Sequence, residues 1–234
     1  MKLYEHIIKE RLTSYLDKTN YLSNTQAAYR KRRSTVDNIL ILQEVFYYFR
    51  YKTGARRLNK NMVPLYLAFM DLSKAFDRVP RDKLFKKLWK AGVTGKIYKV
   101  IKDIYTDNGA RIRIGEYETK KIIIESGVMQ GSTLGPTLFN IYINDLLVKL
   151  NSTRLGARMQ KTTITALGYA DDIVLLADNP TKLQEQIDIC EQWCRENGMR
   201  FSRDKCKVMA LNARQKGLAF NLNGESIEIV SKIR

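Results

Sequence analysis

The chain has 234 residues, 44% of them hydrophobic, which is enough for a buried core and too apolar for a disordered polymer. No run of about 18 apolar residues occurs, and the start, Met1-Lys2-Leu3-Tyr4-Glu5-His6, lacks a signal-peptide core; membrane spans are excluded and an intracellular setting is expected. The formal charge of +17 needs a polyanion to balance it, nucleic acid first, although a solvated face or a membrane surface would use the same charge.

In chain order, Leu3, Ile7, Leu12, Tyr15 and Leu16 carry helical spacing. A basic turn follows at Tyr29-Arg30-Lys31-Arg32-Arg33. Ser34 or Thr35 then caps a helix running through Ile39, Leu42, Val45, Phe46 and Phe49. Gly54 to Arg57 and Asn59 read as a loop. Met62 to Met70 is a continuous apolar run suited to a strand buried on both faces, with Pro64 tolerable near its start. After Pro80, the pattern Leu84, Leu88, Ala91 ends at Gly92 as a glycine-capped helix, and another helix runs through Ile97, Val100, Ile101 and Ile104. Ala110 to Glu125 reads as a hairpin turning near Gly115 to Tyr117.

Pro136 to Leu150 is a strongly apolar helix. Ile164 to Tyr169 and Ile173 to Ala177 are two strands around a short acidic turn, and Pro180 opens a helix that ends at Gly198. Val208 to Leu211, Leu218 to Leu222 and Ser226 to Val230 close the chain as short strands, the last two joined at Asn223-Gly224. The fold class is therefore mixed α+β with an antiparallel hairpin at its centre. Leu183, Ile187, Cys190 and Cys194 fall on one helical face, so these cysteines read as reduced core residues; Cys206 stands alone. A zinc site would need more ligands, and His6 is the only histidine.

Three segments carry chemistry. Tyr169-Ala170-Asp171-Asp172 places two adjacent carboxylates between apolar strands, a costly pairing unless a cation or solvent neutralises it. Magnesium, which prefers oxygen donors, is one solution; a plain solvated turn is the other. Phe69-Met70-Asp71-Leu72-Ser73-Lys74-Ala75-Phe76-Asp77 delivers Asp71 at the end of a strand, where it reads as a metal ligand or as a cap. Gly127-Val128-Met129-Gln130-Gly131-Ser132-Thr133-Leu134-Gly135-Pro136 is a glycine-rich loop before a helix. It suits close backbone approach to a ligand, but lacks the Gly-Lys-Ser/Thr ending of a P-loop.

Together and in this order, the three segments resemble the central blocks of reverse transcriptases, closest in wording to the non-LTR (LINE-type) retrotransposon family. Gln26 to Arg30 with Arg33-Ser34-Thr35 resembles that family's fingers block. Trp193, Gly198 and Phe201-Ser202-Arg203-Asp204-Lys205-Cys206-Lys207 resemble its fourth palm block, and Leu222-Asn223-Gly224 to Val230 the start of its primer grip. Group II intron proteins share the Tyr-Ala-Asp-Asp core; the fingers wording favours the retrotransposon branch. Ala28 and Ser202 stand where the family more often has glycine and asparagine.

The resemblance implies an α+β right-hand polymerase fold, an antiparallel palm sheet packed on helices, with partial fingers and the thumb missing. It divides the chain into 1–62 partial fingers, 63–79 first catalytic palm strand, 80–126 connecting helices and hairpin, 127–212 palm and 213–234 start of the primer grip. It implies an RNA-directed DNA polymerase, a nucleotidyltransferase adding dNTPs to a DNA primer 3′-hydroxyl on an RNA template. Two Mg²⁺ ions, or Mn²⁺ in their place, would be held by Asp71, Asp171 and Asp172. Lys205 would protonate the leaving pyrophosphate, with Lys207 as a close rival for that role.

By the same resemblance, Leu72, Phe76, Gln130 and Gly131 would contact the nucleotide. Phe76 would act as a gate against the 2′-hydroxyl, or else fill the core. Arg30, Arg32 and Arg33 would hold template phosphates, or be solvated. A nuclear location is the expectation for an element copied at chromosomal targets. The alternative function is a catalytically silent, truncated retroelement remnant that binds RNA or DNA.

Overall fold

The computed structural model describes residues 2–52, 63–106, 108–213 and 217–231. In chain order come α1 (Lys2–Lys18), α2 (Thr35–Tyr47) with a π-helical turn (Tyr48–Lys52), β1 (Leu65–Met70), α3 (Ala75–Arg78), α4 (Arg81–Lys90) and α5 (Gly95–Tyr105). Four short strands follow, β2 (Gly109–Ala110), β3 (Arg113–Ile114), β4 (Tyr117–Glu118) and β5 (Ile122–Ile123), and then α6 (Gly135–Ser152). Next are β6 (Ala157–Met159), β7 (Thr162–Ile164), β8 (Ala166–Tyr169), β9 (Asp172–Ala177) and α7 (Pro180–Asn197). The chain closes with β10 (Lys207–Leu211), β11 (Asn221–Leu222), β12 (Glu225–Ser226) and β13 (Glu228–Ile229). The loop expected over Gly54 to Asn59, and Met62, lie outside the described residues.

The chain divides into two compact units, each of two stretches: Met1–Leu22 with Lys74–Tyr142, and Ser23–Ser73 with Ile143–Arg234. The second unit is built on a five-stranded sheet in the order β13-β10-β1-β9-β8. β1 is antiparallel to both neighbours, Leu65 opposite Leu211 and Met70 opposite Ile173, and β13 joins β10 in parallel. With a strand on each side and apolar groups on each face, β1 buries Leu65, Tyr66, Leu67, Ala68 and Met70. Val45 and Phe49 pack with Leu65, Leu67, Ala157, Leu167 and Leu176 in its core. α7 starts at Pro180 behind Asn179, whose Oδ1 accepts from the Thr181 N–H at 2.8 Å, and stops at left-handed Gly198 (φ 70°). Its buried face includes Leu183, Ile187, Cys190 and Cys194, as the helical spacing predicts.

The first unit packs Ile8, Leu12 and Leu16 of α1, Leu84 and Leu88 of α4, Ile101 and Tyr105 of α5 and Leu138, Phe139, Ile141 and Tyr142 of α6 as buried residues. Gly92 ends α4 at φ 79°, and a side chain there would collide with the Tyr15 hydroxyl, which donates to Ala91 O at 3.2 Å.

Several boundaries differ from the sequence expectation. α2 gives way at Tyr48 to the π-helical turn, which still buries Phe49; Val36, Ile39 and Leu40 lie half exposed, so the apolar helix pattern overstates its buried face. Ile164 belongs to β7, paired with Ala157 in a hairpin the sequence reading did not anticipate. The expected strand Leu218 to Leu222 shortens to β11. Ser226 to Val230 is shared, with Ser226 pairing to Asn221 and Glu228 to Lys207. The expected hairpin over Ala110 to Glu125 forms as two nested pairs, β2 with β5 and β3 with β4.

Candidate active site

β1 ends at Met70, and along its register Met70 lies opposite Ile173. One step further brings Asp71 level with Asp172. Beyond Asp71 the strand is kept in place by backbone bonds rather than by sheet pairing. Ser202 N–H donates to Asp71 O at 2.7 Å, Leu72 bridges antiparallel to Phe201, and Ser73 N–H donates to Arg200 O at 2.9 Å. Leu72 itself is buried.

Asp171 sits in the turn between β8 and β9, where Tyr169 and Asp172 pair across the hairpin. Ala170 adopts a left-handed φ of 58°, costly for a residue with a Cβ. Gln26, 1% exposed, compensates from outside the hairpin. Its Nε2 donates to Ala170 O at 3.1 Å, and its Oε1 accepts from the N–H groups of Ala170 at 2.9 Å and Ala28 at 3.2 Å. Ala27 N–H to Gly168 O and Gly168 N–H to Thr25 O extend the same seam. A Cβ at Gly168 would come within 2.9 Å of Leu147 Cδ1, so that side chain would have to shift. The sequence reading quoted Gln26 only as part of a block; its hold on the acidic turn depends on a contact 144 residues away along the chain.

The three carboxylates act on one another. Asp171 is pushed above the ordinary carboxylate range by loss of water, then by Asp172 and Asp71; Asp172 is pushed up by loss of water and by Asp71. Lys205 opposes both shifts, and its Nζ lies 3.4 Å from each Asp71 oxygen. Asp71 Oδ1 is shielded from solvent and receives no hydrogen bond; the Lys205 ammonium is its ion-pair partner. Tyr29, whose phenol is pushed up first by burial and next by Asp171 and Tyr169, also faces the turn. It lies within the fingers block of the sequence, which assigns it no role of its own.

Among the described residues, no three metal-ligand side chains are already drawn together as a set. The donors nevertheless fit a hard divalent cation in kind. They are all carboxylate oxygens, mutually repelling, and one of them is buried without a hydrogen bond.

The expected nucleotide contacts Phe76, Gln130 and Gly131 lie in the first unit. Phe76, on α3, stacks on Phe139 with ring centroids 4.5 Å apart and keeps part of its surface open. The glycine-rich loop is tied to α3: Val128 N–H donates to Phe76 O and Gly127 N–H to Val79 O, at 2.9 and 2.8 Å. Gly127, at φ 86°, leaves no room for a Cβ, which would stand 2.8 Å from Asp77 O. Gln130 Nε2 donates to Asp77 Oδ1 at 2.7 Å, which gives Asp77 a positioning task the sequence did not reveal.

Two buried charges brace the loop. Glu5 of α1 accepts from Ser132 Oγ at 2.8 Å and Thr133 N–H at 3.2 Å. Arg81 donates to the carbonyls of Gly127, Tyr105 and Ile124 and lies 5.1 Å over the Tyr105 ring. Of the expected template contacts, Arg30 donates to the carbonyls of Ser23 and Gln26 at 2.7 and 3.2 Å, while Arg32 and Arg33 are exposed.

Residues 1–222 match the family model described as reverse transcriptase (RNA-dependent DNA polymerase). The chain belongs to the reverse transcriptase family. Among relatives of this reverse transcriptase, a retrovirus-related Pol polyprotein from the type-1 retrotransposable element R2 of Popillia japonica is 30% identical over 216 residues, which are 91% of this chain and 28% of that protein. The RNA-directed DNA polymerase from mobile element jockey of Drosophila melanogaster is 26% identical over 97% of this chain and 24% of its own length. The relatives are non-LTR retrotransposon polymerases, and the chain spans between 14% and 28% of the length of the curated relatives it matches. A solved telomerase from Candida tropicalis superposes with a TM-score of 0.64 at 16% identity, over 95% of this chain and 43% of that one. At that identity the likeness is one of fold: a reverse transcriptase fold of mixed helices and sheet. No helix among the described residues is long and apolar enough to cross a membrane.

Proposed function

We propose that this reverse transcriptase chain is the RNA-directed DNA polymerase domain of a non-LTR retrotransposon protein, adding deoxynucleotides to a DNA primer on an RNA template. The observation that carries the reading is the meeting of Asp71, at the end of β1, with Asp171 and Asp172, at the β8–β9 turn, beside Lys205. In this reading the five-stranded sheet is the palm. Residues 1–62 and 80–126 contribute fingers and connecting elements, 127–212 complete the palm, and 213–234 begin the primer grip.

Asp71 and Asp171, with Asp172 contributing less directly, would hold two Mg²⁺ ions, with Mn²⁺ fitting the same oxygen donors. Bound there, such ions would lower the pKa of a primer 3′-hydroxyl and offset the charge of the departing pyrophosphate. The protein's own share is positioning. The Gln26 seam fixes where Asp171 points, and the Ser202–Asp71 bond fixes the strand end. Lys205 supplies a proton to the leaving pyrophosphate.

Phe76, backed by Phe139, lies under the nucleotide sugar and excludes a 2′-hydroxyl; Gln130, oriented by Asp77, and Gly131 contact the base pair, and Leu72 contacts the nucleotide through its backbone. Arg32 and Arg33 hold template phosphates, with Arg30 bracing their turn. The natural setting is chromosomal copying in the nucleus.

The test is primer extension on an RNA template with dNTPs and Mg²⁺, comparing the wild type with Asp171→Ala. The expected result is short extension products from the wild type and none from the variant. Extension that persists in Asp171→Ala refutes the assignment of the carboxylates. Silence in both chains, with the template still bound, supports a nucleic-acid-binding remnant instead.

A further inference from the structure

A second cationic surface lies in the second unit, away from the carboxylates. Between Asp145 and Asp171 the chain carries no acidic residue and four cations, Lys149, Arg154, Arg158 and Lys161. The fold gathers three of them, with Lys182, around a cavity of about 640 Å³ that Asn151 and Thr163 also line. From the acidic turn, β9 carries the chain from Asp172 to Ala177, about 17 Å at ~3.3 Å per residue, before Lys182 is reached. The cavity is therefore at the far end of the strand that begins at Asp172.

Its frame is built rather than draped. Asn151 closes α6 onto the start of β8: its Nδ2 donates to Leu147 O at 2.8 Å and its Oδ1 accepts from Ala166 N–H at 3.3 Å. Fully buried Gln186 of α7 donates to Leu155 O at 3.1 Å and to Leu176 O at 2.9 Å, so the loop carrying Arg154 is fixed from beneath. Gly156 lets that loop press against the next strand, since a Cβ would stand 2.3 Å from Ile164 O. Arg158 and Thr163 are direct cross-strand partners in the β6–β7 hairpin and so share one face.

The charges are not explained by local pairing. Arg154, Arg158 and Lys161 are exposed and have no carboxylate partner among the described residues. Arg154 follows the C-terminal end of α6, where a cation suits the helix dipole, but Arg158 and Lys161 sit on a hairpin with no helix end to complement. Lys182 lies in the first turn of α7, where the dipole disfavours a cation; Asp178, 2.7 Å away, meets only that one.

No aromatic or large apolar side chain lines the cavity, so it offers no platform for a base and no wedge for a lipid chain. The cations come from a loop, a hairpin and a helix rather than converging on a single point. We infer that this cavity is a second nucleic-acid site, binding successive phosphates of a polynucleotide backbone without reading its sequence, separate from the carboxylate centre.

Binding of a labelled single-stranded RNA, without Mg²⁺ or dNTPs, tests this by its salt dependence. Removing three phosphate contacts with Arg154→Gln, Arg158→Gln and Lys161→Gln together lowers the slope of log affinity against log salt by about 2, at about 0.7 per contact. Between about 50 and 200 mM salt the wild type then loses about 20-fold more affinity than the triple variant. The charge-preserving set Arg154→Lys, Arg158→Lys and Lys161→Arg keeps the wild-type slope. Equal slopes in the wild type and the glutamine variant, or loss of slope in the charge-preserving set as well, overturn the site. Acetylation of Lys161 supplies the second readout: RNA protects it, and inorganic phosphate at the same phosphorus concentration does not. Equal protection by phosphate would overturn the polynucleotide assignment in favour of a small anion. Neither readout needs catalysis, so failed primer extension and failed binding at this cavity are separate results.

Discussion

Replacing Gln26 with alanine removes a side chain that grips both backbone groups of Ala170. Three hydrogen bonds vanish, and the N–H groups of Ala170 and Ala28, with the Ala170 carbonyl, lose that partner inside a buried seam. A buried polar group left without a partner costs ~1–3 kcal/mol, and relaxation of the turn returns part of it. The expected loss of stability is about 2–4 kcal/mol, measured as the midpoint shift in urea unfolding. Left-handed Ala170 adds a second handle. An alanine there is strained by ~1–2 kcal/mol that glycine does not feel, so adding Ala170→Gly to Gln26→Ala recovers about 1 kcal/mol. Under the proposed function, primer extension by Gln26→Ala needs more Mg²⁺ for half-maximal rate, because Asp171 is no longer held. A midpoint shift worth less than about 0.5 kcal/mol, with unchanged Mg²⁺ dependence, would refute the clamp.

Two other outcomes follow from local geometry. Gly127→Ala combines a left-handed backbone with a Cβ 2.8 Å from Asp77 O and should cost about 2–4 kcal/mol in urea unfolding. Gly131→Ala, equally left-handed but with nothing within 4 Å, should cost only about 1 kcal/mol; equal losses would disprove the steric argument. Asp171, whose folded-state pKa is raised, takes up a proton more readily folded than unfolded. Its stabilising share is therefore full below the unfolded value and lost as pH rises through the folded one. Asp171→Asn should thus melt above the wild type at neutral pH, by a margin that closes as pH falls below about 4, near the 3.8 of an ordinary aspartate. Mg²⁺ should narrow the neutral-pH gap by raising the wild type. A margin independent of pH would rule out charge as its cause.

The elements that position Asp71 and Asp171 were legible because they rest on local pattern. A continuous apolar run makes β1, and two such runs around an acidic turn make the β8–β9 hairpin. α7 announced both ends, Pro180 and Gly198, and Asn223-Gly224 announced the turn that the fold makes with φ values of 54° and 79°. What stayed hidden depends on partners far along the chain. Gln26 and Glu5 are ordinary polar residues in sequence; only the folded chain buries them against Ala170 and Ser132. The β6–β7 hairpin escaped notice because its strands are three residues each, half of them polar, too short for alternation to stand out. The chain's crossing between units is equally silent: residues 1–22 gather with 74–142 without any linker composition to mark the change.

The central place of β1 has a consequence for the order in which the molecule comes apart. Its amides and carbonyls are paired on both sides, by β9 and β10, whereas β13 at the sheet edge is held over two residues only. Amide exchange is slowest where opening requires the largest cooperative event, so the last protons to leave the second unit belong to β1. Asp71 is mounted on that strand's end. Edge strands can fray and re-form while the carboxylate keeps its place, and its position survives until the sheet itself is lost.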